Sequence, residues 1–133
     1  MKKYTQADFD AFEVIDRIKQ CPSGDYSDIR VFGRGCSFGR GCSFGECCSF
    51  GKGCSFEGKG EYIGDYPFLA FVGFGSRIGS KVYFFNLQDG IYVRCGCWLS
   101  DIAGFRERVK EKNADAMYLD LCDLVERKFD RKN

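Results

Sequence analysis

The sequence contains no histidine. That absence excludes Ser-His-Asp and Cys-His nucleophilic catalysis, histidine-ligated zinc enzymes and any histidine general base. Acid–base chemistry near neutral pH would need a tuned carboxylate, cysteine or lysine. Net charge is also nearly absent: a formal +1 over 133 residues lacks the basic excess of an electrostatic nucleic-acid binder. No run approaches the roughly 20 apolar residues of a membrane span. The first residues, Met1-Lys2-Lys3-Tyr4-Thr5-Gln6-Ala7-Asp8, lack the apolar stretch of a signal peptide, so a cytoplasmic location is expected. The length suits a single domain over 1–133 with one modest core.

What is abundant is cysteine. Nine cysteines are an odd number, so full pairing within one chain is impossible, and in a reducing cytosol they are expected as thiols. Most belong to a repeat. Read from Phe32, the chain falls into units of six: Phe-Gly-Arg-Gly-Cys-Ser twice, Phe-Gly-Glu-Cys-Cys-Ser from Phe44, and Phe-Gly-Lys-Gly-Cys-Ser from Phe50. A degenerate unit follows from Phe56, and Tyr62 begins a sixth. Between Phe32 and Gly60 there is no Leu, Ile, Val or Met, so phenylalanine, helped by cysteine, must supply the core there.

This register resembles the hexapeptide-repeat proteins that form left-handed parallel β-helices. Phenylalanine takes the bulky slot, Gly33, Gly39, Gly45 and Gly51 the next, and Cys36, Cys42, Cys48 and Cys54 the second small slot. The resemblance implies a triangular coil of about 18 residues whose equivalent residues stack about 4.8 Å apart. Phe50 would then lie over Phe32, Phe56 over Phe38, and Tyr62 over Phe44, with Arg34 above Lys52. Fewer than two coils need caps from the flanks or oligomerisation.

The flanks supply candidates. Thr5 with Asp8 and the apolar positions Phe9, Phe12, Ile15 and Ile18 predict a helix ended by Pro22 and Gly24. Phe68–Val72 reads as a strand. Segments 81–85 and 91–95 read as a hairpin about 86–90. Ser100 is read as the cap of a helix using Ile102, Phe105 and Val109. A last helix is expected to bury Met117, Leu121, Leu124 and Val125, with Tyr118 and Cys122 beside them. The expected fold class is therefore α+β: a short left-handed β-helix over 30–66, capped by an N-terminal helix over 1–24. A strand, a β-hairpin and two C-terminal helices follow over 67–133.

The Tyr4–Phe9 segment, the Cys-Ser-Phe-Gly repeats, and Tyr83-Phe84-Phe85 leading to Val93-Arg94-Cys95-Gly96-Cys97-Trp98 together resemble small phage and prophage proteins. That resemblance implies viral origin and action in a host cytoplasm. The β-helix acyltransferases also share the repeat, but they use a histidine base and a trimer interface, and neither is expected here. The related zinc carbonic anhydrases need histidine ligands.

No other chemical motif survives its spacing. The segment 73–79 has one residue too many for a dinucleotide loop, and Gly51-Lys52-Gly53 lacks the Ser or Thr of a Walker loop. Cys95 and Cys97, which would share a strand face, could join Cys47 and Cys48 around zinc, but neither pair has ligand spacing. No catalytic residue, metal or cofactor is expected. The expected function is non-enzymatic binding, inhibiting a host defence protein in the manner of an anti-CRISPR. The alternatives are a sponge for a small molecule or nucleotide signal and a self-assembling structural component. Candidate partner-binding residues are Arg34, Arg40 and Lys52 on the corner edge, and Trp98 after the hairpin. The expected partner is a host protein or a second copy, with neither membrane nor nucleic acid involved.

Overall fold

The computed structural model describes residues 1–74 and 81–131. The chain divides into two units, Met1–Tyr66 and Pro67–Asn133. The first holds a one-turn helix α1 (Gln6–Asp10) and seven short strands. These are β1 (Val14–Ile15), β2 (Ile18–Cys21), β3 (Asp25–Tyr26), β4 (Cys36–Phe38), β5 (Ser43–Phe44), β6 (Ser55–Phe56) and β7 (Gly60–Glu61). The second holds β8 (Phe68–Val72), β9 (Lys81–Leu87), β10 (Gly90–Cys95), β11 (Trp98–Asp101), α2 (Ile102–Glu111) and α3 (Met117–Lys128).

The first unit is organised around aromatic rings. Parallel pairing joins Gln20 to Ser37, Ser37 to Ser55, Asp25 to Ser43 and Val31 to Ser49. The pairings set Cys21 beside Phe38 and Tyr26 beside Phe44, and bring Phe32 against Phe50 and Phe38 against Phe56. Phe32 and Phe50 stack at 4.7 Å and 2°, Phe38 and Phe56 at 5.3 Å and 19°, and Tyr26 and Phe44 at 6.0 Å and 18°. Between stacks the rings meet edge to face, as Phe38 does with Phe44 at 5.0 Å and 87°. Such contacts add about 0.5–1.5 kcal/mol each beyond area burial. Phe32, Phe38, Phe44 and Phe56 are buried and Phe50 is half-buried.

The glycines after Phe44 and Phe50 have a steric cause, whereas Gly33 is open around its Cβ and is set by its positive φ of 77°. A Cβ on Gly45 would overlap the Ser27 carbonyl oxygen, and one on Gly51 would lie 2.8 Å from the Arg34 amide nitrogen. Backbone passes so close there that only hydrogen fits. Cys36, Cys42 and Cys54 are buried small side chains, and their thiols donate to the carbonyls of Phe32, Gly39 and Gly33 at 3.2 Å each.

The short left-handed β-helix expected over 30–66 is not what the chain forms, because its strands are shared between separate five- and two-stranded sheets. The chain forms a mixed α+β structure with sheets of five, four and two strands, in the orders β1-β2-β4-β6-β7, β11-β10-β9-β8 and β3-β5, and three helices. The five-stranded sheet is parallel only through β2, β4 and β6. At either edge it closes with an antiparallel partner, β1 against β2 and β7 against β6.

The N-terminal helix is likewise much shorter than 1–24. Thr5 does cap it, accepting from the Asp8 amide while the Asp8 carboxylate accepts from the Thr5 amide. It ends after Asp10, and Val14, Ile15 and Ile18 enter a hairpin whose turn residues Asp16 and Arg17 both have positive φ. Val14, Ile15 and Ile18 are exposed. β-Branched residues in this run favour strand over helix, and the parallel seat beside β4 decides it. Tyr62 packs at 6.2 Å from Phe56 and donates its hydroxyl to the Phe50 carbonyl at 3.0 Å.

In the second unit, β9 and β10 form a hairpin with only Gln88 and Asp89 between them, tighter than the expected turn over 86–90. β11 extends this sheet through a further tight turn at Gly96 and Cys97. Cys97 therefore lies in the turn, and the expected shared strand face with Cys95 does not form. One face of the sheet packs Val82, Phe84, Ile91 and Val93 with Ile102, Phe105, Val109, Tyr118, Leu121 and Val125 of the helices. On the other face the Arg94 guanidinium stacks on Tyr83 at 4.5 Å.

Asp101, and not Ser100, caps α2, its carboxylate accepting from the Gly104 amide at 2.8 Å. The core face of α3 is Tyr118, Leu121, Cys122 and Val125. Met117 and Leu124, expected inside, are 55% and 44% exposed. Arg106 ties the helices together, donating to Glu126 at 2.5 Å and Asp123 at 2.8 Å. Among the described residues no helix is long and apolar enough to cross a membrane.

Candidate functional site

The corner edge is built from glycine-flanked cations. Gly33-Arg34-Gly35 lies against Gly51-Lys52-Gly53: the Gly51 amide donates to the Gly33 carbonyl at 2.8 Å, and the Gly35 amide to the Lys52 carbonyl at 2.9 Å. The Arg34 stem passes over Gly51, whose missing Cβ would sit 2.8 Å from Arg34 Cγ. On the opposite side the Lys19 amide donates to the Gly35 carbonyl at 2.8 Å, and the Arg17 carbonyl oxygen would lie 2.9 Å from a Cβ on Gly35. Arg17, Arg34 and Lys52 thus occupy consecutive rungs, roughly one strand spacing of about 4.8 Å apart.

All three residues are exposed. Among the described residues none has a carboxylate within ion-pair distance. Cations on neighbouring rungs turn one sign of charge toward an approaching anion, with the Glu61 carboxylate beside Gly53 at the end of the row.

Arg40 stands elsewhere. Its carbonyl accepts from the Ser23 hydroxyl, and the next amide, Gly41, donates to the buried Glu57 carboxylate at 2.7 Å. Its rung neighbours are Ser23 and Glu57, so the structure joins Arg34 with Lys52 but not with Arg40. Arg17 escaped the sequence reading because it precedes the repeat. Its signal was the interval to Arg34, 17 residues against the 18 from Arg34 to Lys52.

Trp98 belongs to the second unit. It is half-buried on β11, with Phe105 at 6.1 Å and the Arg108 guanidinium over its ring at 4.5 Å. A cavity of about 240 Å³ opens beside it, with Cys95, Phe105, Val109 and Tyr118 in its walls and Arg108, Lys112 and Ala114 among its lining residues. Burial pushes the Tyr118 hydroxyl up, reinforced by its neighbour Cys95.

Buried thiols are held in their neutral form. The Cys36 thiol is pushed up to about 12 by hydrogen bonding with Cys21 and by burial, and burial raises Cys122 to about 11. Both are protonated at neutral pH. Cys47 and Cys97 are exposed, each in a turn. Among the described residues no three His, Cys, Asp or Glu side chains converge as metal ligands. Of the glycine-rich segment 73–79, all beyond Phe74 lies outside the described residues.

Known families, curated proteins and solved structures offer no match to this chain.

Proposed function

We propose that this chain is a non-enzymatic binding protein whose first unit docks on an acidic protein surface through Arg17, Arg34 and Lys52. The observation that carries the reading is the exposed ladder of cations on hydrogen-bonded rungs without carboxylate partners among the described residues. A backbone held by parallel pairing and stacked rings loses little entropy on docking. Rim cations of this kind speed encounter and set register more than they set affinity. The partner class follows from the resemblance to phage and prophage proteins: a host defence or regulatory protein, inhibited by occupancy in the host cytoplasm, as an anti-CRISPR acts.

The test is capture of a stoichiometric partner from host lysate with the wild-type chain and with Arg17→Glu/Arg34→Glu/Lys52→Glu. The variant should keep the wild-type thermal melt and lose the partner, whose association should also slow steeply with added salt. Arg40→Glu should retain it. Undiminished capture by the triple variant would overturn the reading.

A further inference from the structure

The cavity beside Trp98 has a chemistry that the ladder does not use. We infer that it is a binding site for a small planar aromatic anion, the ring entering between Trp98 and Tyr118 and the anionic group meeting Arg108 and Lys112. The size is suitable. A cavity of 150 Å³ admits benzene, so about 240 Å³ admits roughly a fused bicyclic ring. The walls are suitable too, since Trp98, Phe105 and Tyr118 present aromatic surface to a flat guest.

The cations give the sign of the guest. Arg108 and Lys112 lie four apart along α2 and its C-cap, where neighbouring like charges destabilise a helix slightly. A cation near a helix C-terminus needs no ligand to explain it, and Lys110, near Glu107 at 4.0 Å, already serves that role. Arg108 differs. Its guanidinium carbon lies over the indole, 4.5 Å from the ring centroid, and among the described residues it has no carboxylate partner, nor has Lys112. A guanidinium has five N–H donors, enough to serve a carboxylate or phosphate while one side rests on a ring. A mere packing defect would take neutral and anionic rings alike.

The single tryptophan reports on the site directly. The full chain would be titrated with 2-naphthoate, with the neutral 2-naphthalenemethanol and with adenosine 5′-monophosphate, following the Trp98 indole N–H resonance. Saturable movement is expected with at least one anion, at least tenfold tighter than with the neutral ring. Arg108→Gln should weaken it tenfold or more at an unchanged melt. Ala114→Phe, an exposed rim substitution, should block it while leaving the fold intact. Preference for naphthoate would assign a carboxylate guest, and preference for the nucleotide a phosphate guest. No saturable shift with either anion, equal affinity for the neutral ring, or indifference to Arg108→Gln would overturn the site.

Discussion

The two units solve the problem of a small core in opposite ways. The first spreads strands of two to four residues over many rungs and fills the interior with rigid rings and thiols. The second uses strands of up to seven residues under two amphipathic helices, with Val, Ile and Leu between aromatics. The ring-filled interior brings backbones to close range at Gly45 and Gly51, where only glycine fits. A sheet under helices tolerates branched side chains between its layers. The difference should appear as unequal responses to matched substitutions.

The largest effect is expected for Phe44→Ala. Its neighbours are the rings of Tyr26, Phe32, Phe38, Phe50 and Phe56, which cannot collapse into the void. Its cost in urea unfolding should lie near the upper end of about 3–5 kcal/mol. Phe84→Ala, which has two ring neighbours, Phe71 and Phe105, beside the aliphatic Val82, Ile91 and Val93 of the same core, should lie near the lower end. Equal costs would erase the distinction between rigid and adaptable cores.

Glycine gives the next contrast. Gly45→Ala forces a Cβ onto backbone and should cost about 1–3 kcal/mol. Gly60→Ala in the same unit, with nothing within 4 Å of the new Cβ, should be near neutral. Gly90→Ala, open around its Cβ but at φ 142°, should lose about 1 kcal/mol through backbone strain alone. Parallel denaturation of the three separates close packing from dihedral demand.

The thiols compare burial in the two units through pH. Cys36 and Cys122 hold their protons to about 12 and about 11, whereas an unfolded thiol ionises near 8.5. Above about pH 8.5 the unfolded state therefore binds fewer protons than the folded one. The stability that these protons supply is complete below that pH and is lost as pH rises toward the folded values. The expected slope is about 1.4 kcal/mol per pH unit per thiol. Cys122→Ala should flatten the decline up to about pH 11, and Cys36→Ala up to about pH 12. Superimposable profiles for wild type and both variants would show that neither the Cys21 contact of Cys36 nor the burial of Cys122 holds these protons.

The smallest effect sharpens the comparison of charges. Arg106→Ala strips a bidentate partner from the largely buried Glu126 and should cost about 1–2 kcal/mol. Lys52→Ala should stay within about 0.5 kcal/mol of wild type. A loss at Lys52 as large as that at Arg106 would give Lys52 a structural role and weaken the docking proposal.

Local signals were legible where one short segment contained its own cause. The Thr5–Asp8 capping box, the inward phenylalanines, the small residues after them and a hairpin from strands at 81–85 and 91–95 all follow from spacing and residue type, though the strands run on to Leu87 and from Gly90. The rest depended on competition. Val14, Ile15 and Ile18 fit an apolar helix face at 3.6-residue spacing, and only the free edge beside β4 turns them into strands. Met117 and Leu124 fit the same α3 stripe as Leu121 and Val125. The angle at which the helix meets the sheet leaves them outside. Ser100 and Asp101 are both good caps, and the register of β11 against β10 chooses Asp101. Of the proposed sites, Arg34 and Lys52 were readable from their 18-residue interval. Arg108 and Lys112 were not, because their relation to Trp98 is set by how α2 packs against β11.

By itself, the sequence determined the six-residue rhythm, the chemistry it excludes for want of histidine, and which side chains must be small. Each of these is a property of a residue and its near neighbours. Only the tertiary structure decided that the repeat ends in antiparallel edges and that Arg17 joins the ladder. It also decided that a cavity opens where Trp98, Arg108 and Tyr118 converge. Those outcomes depend on strand pairing and helix docking between distant segments. There, competition among alternative contacts selects the arrangement, and no local pattern records it.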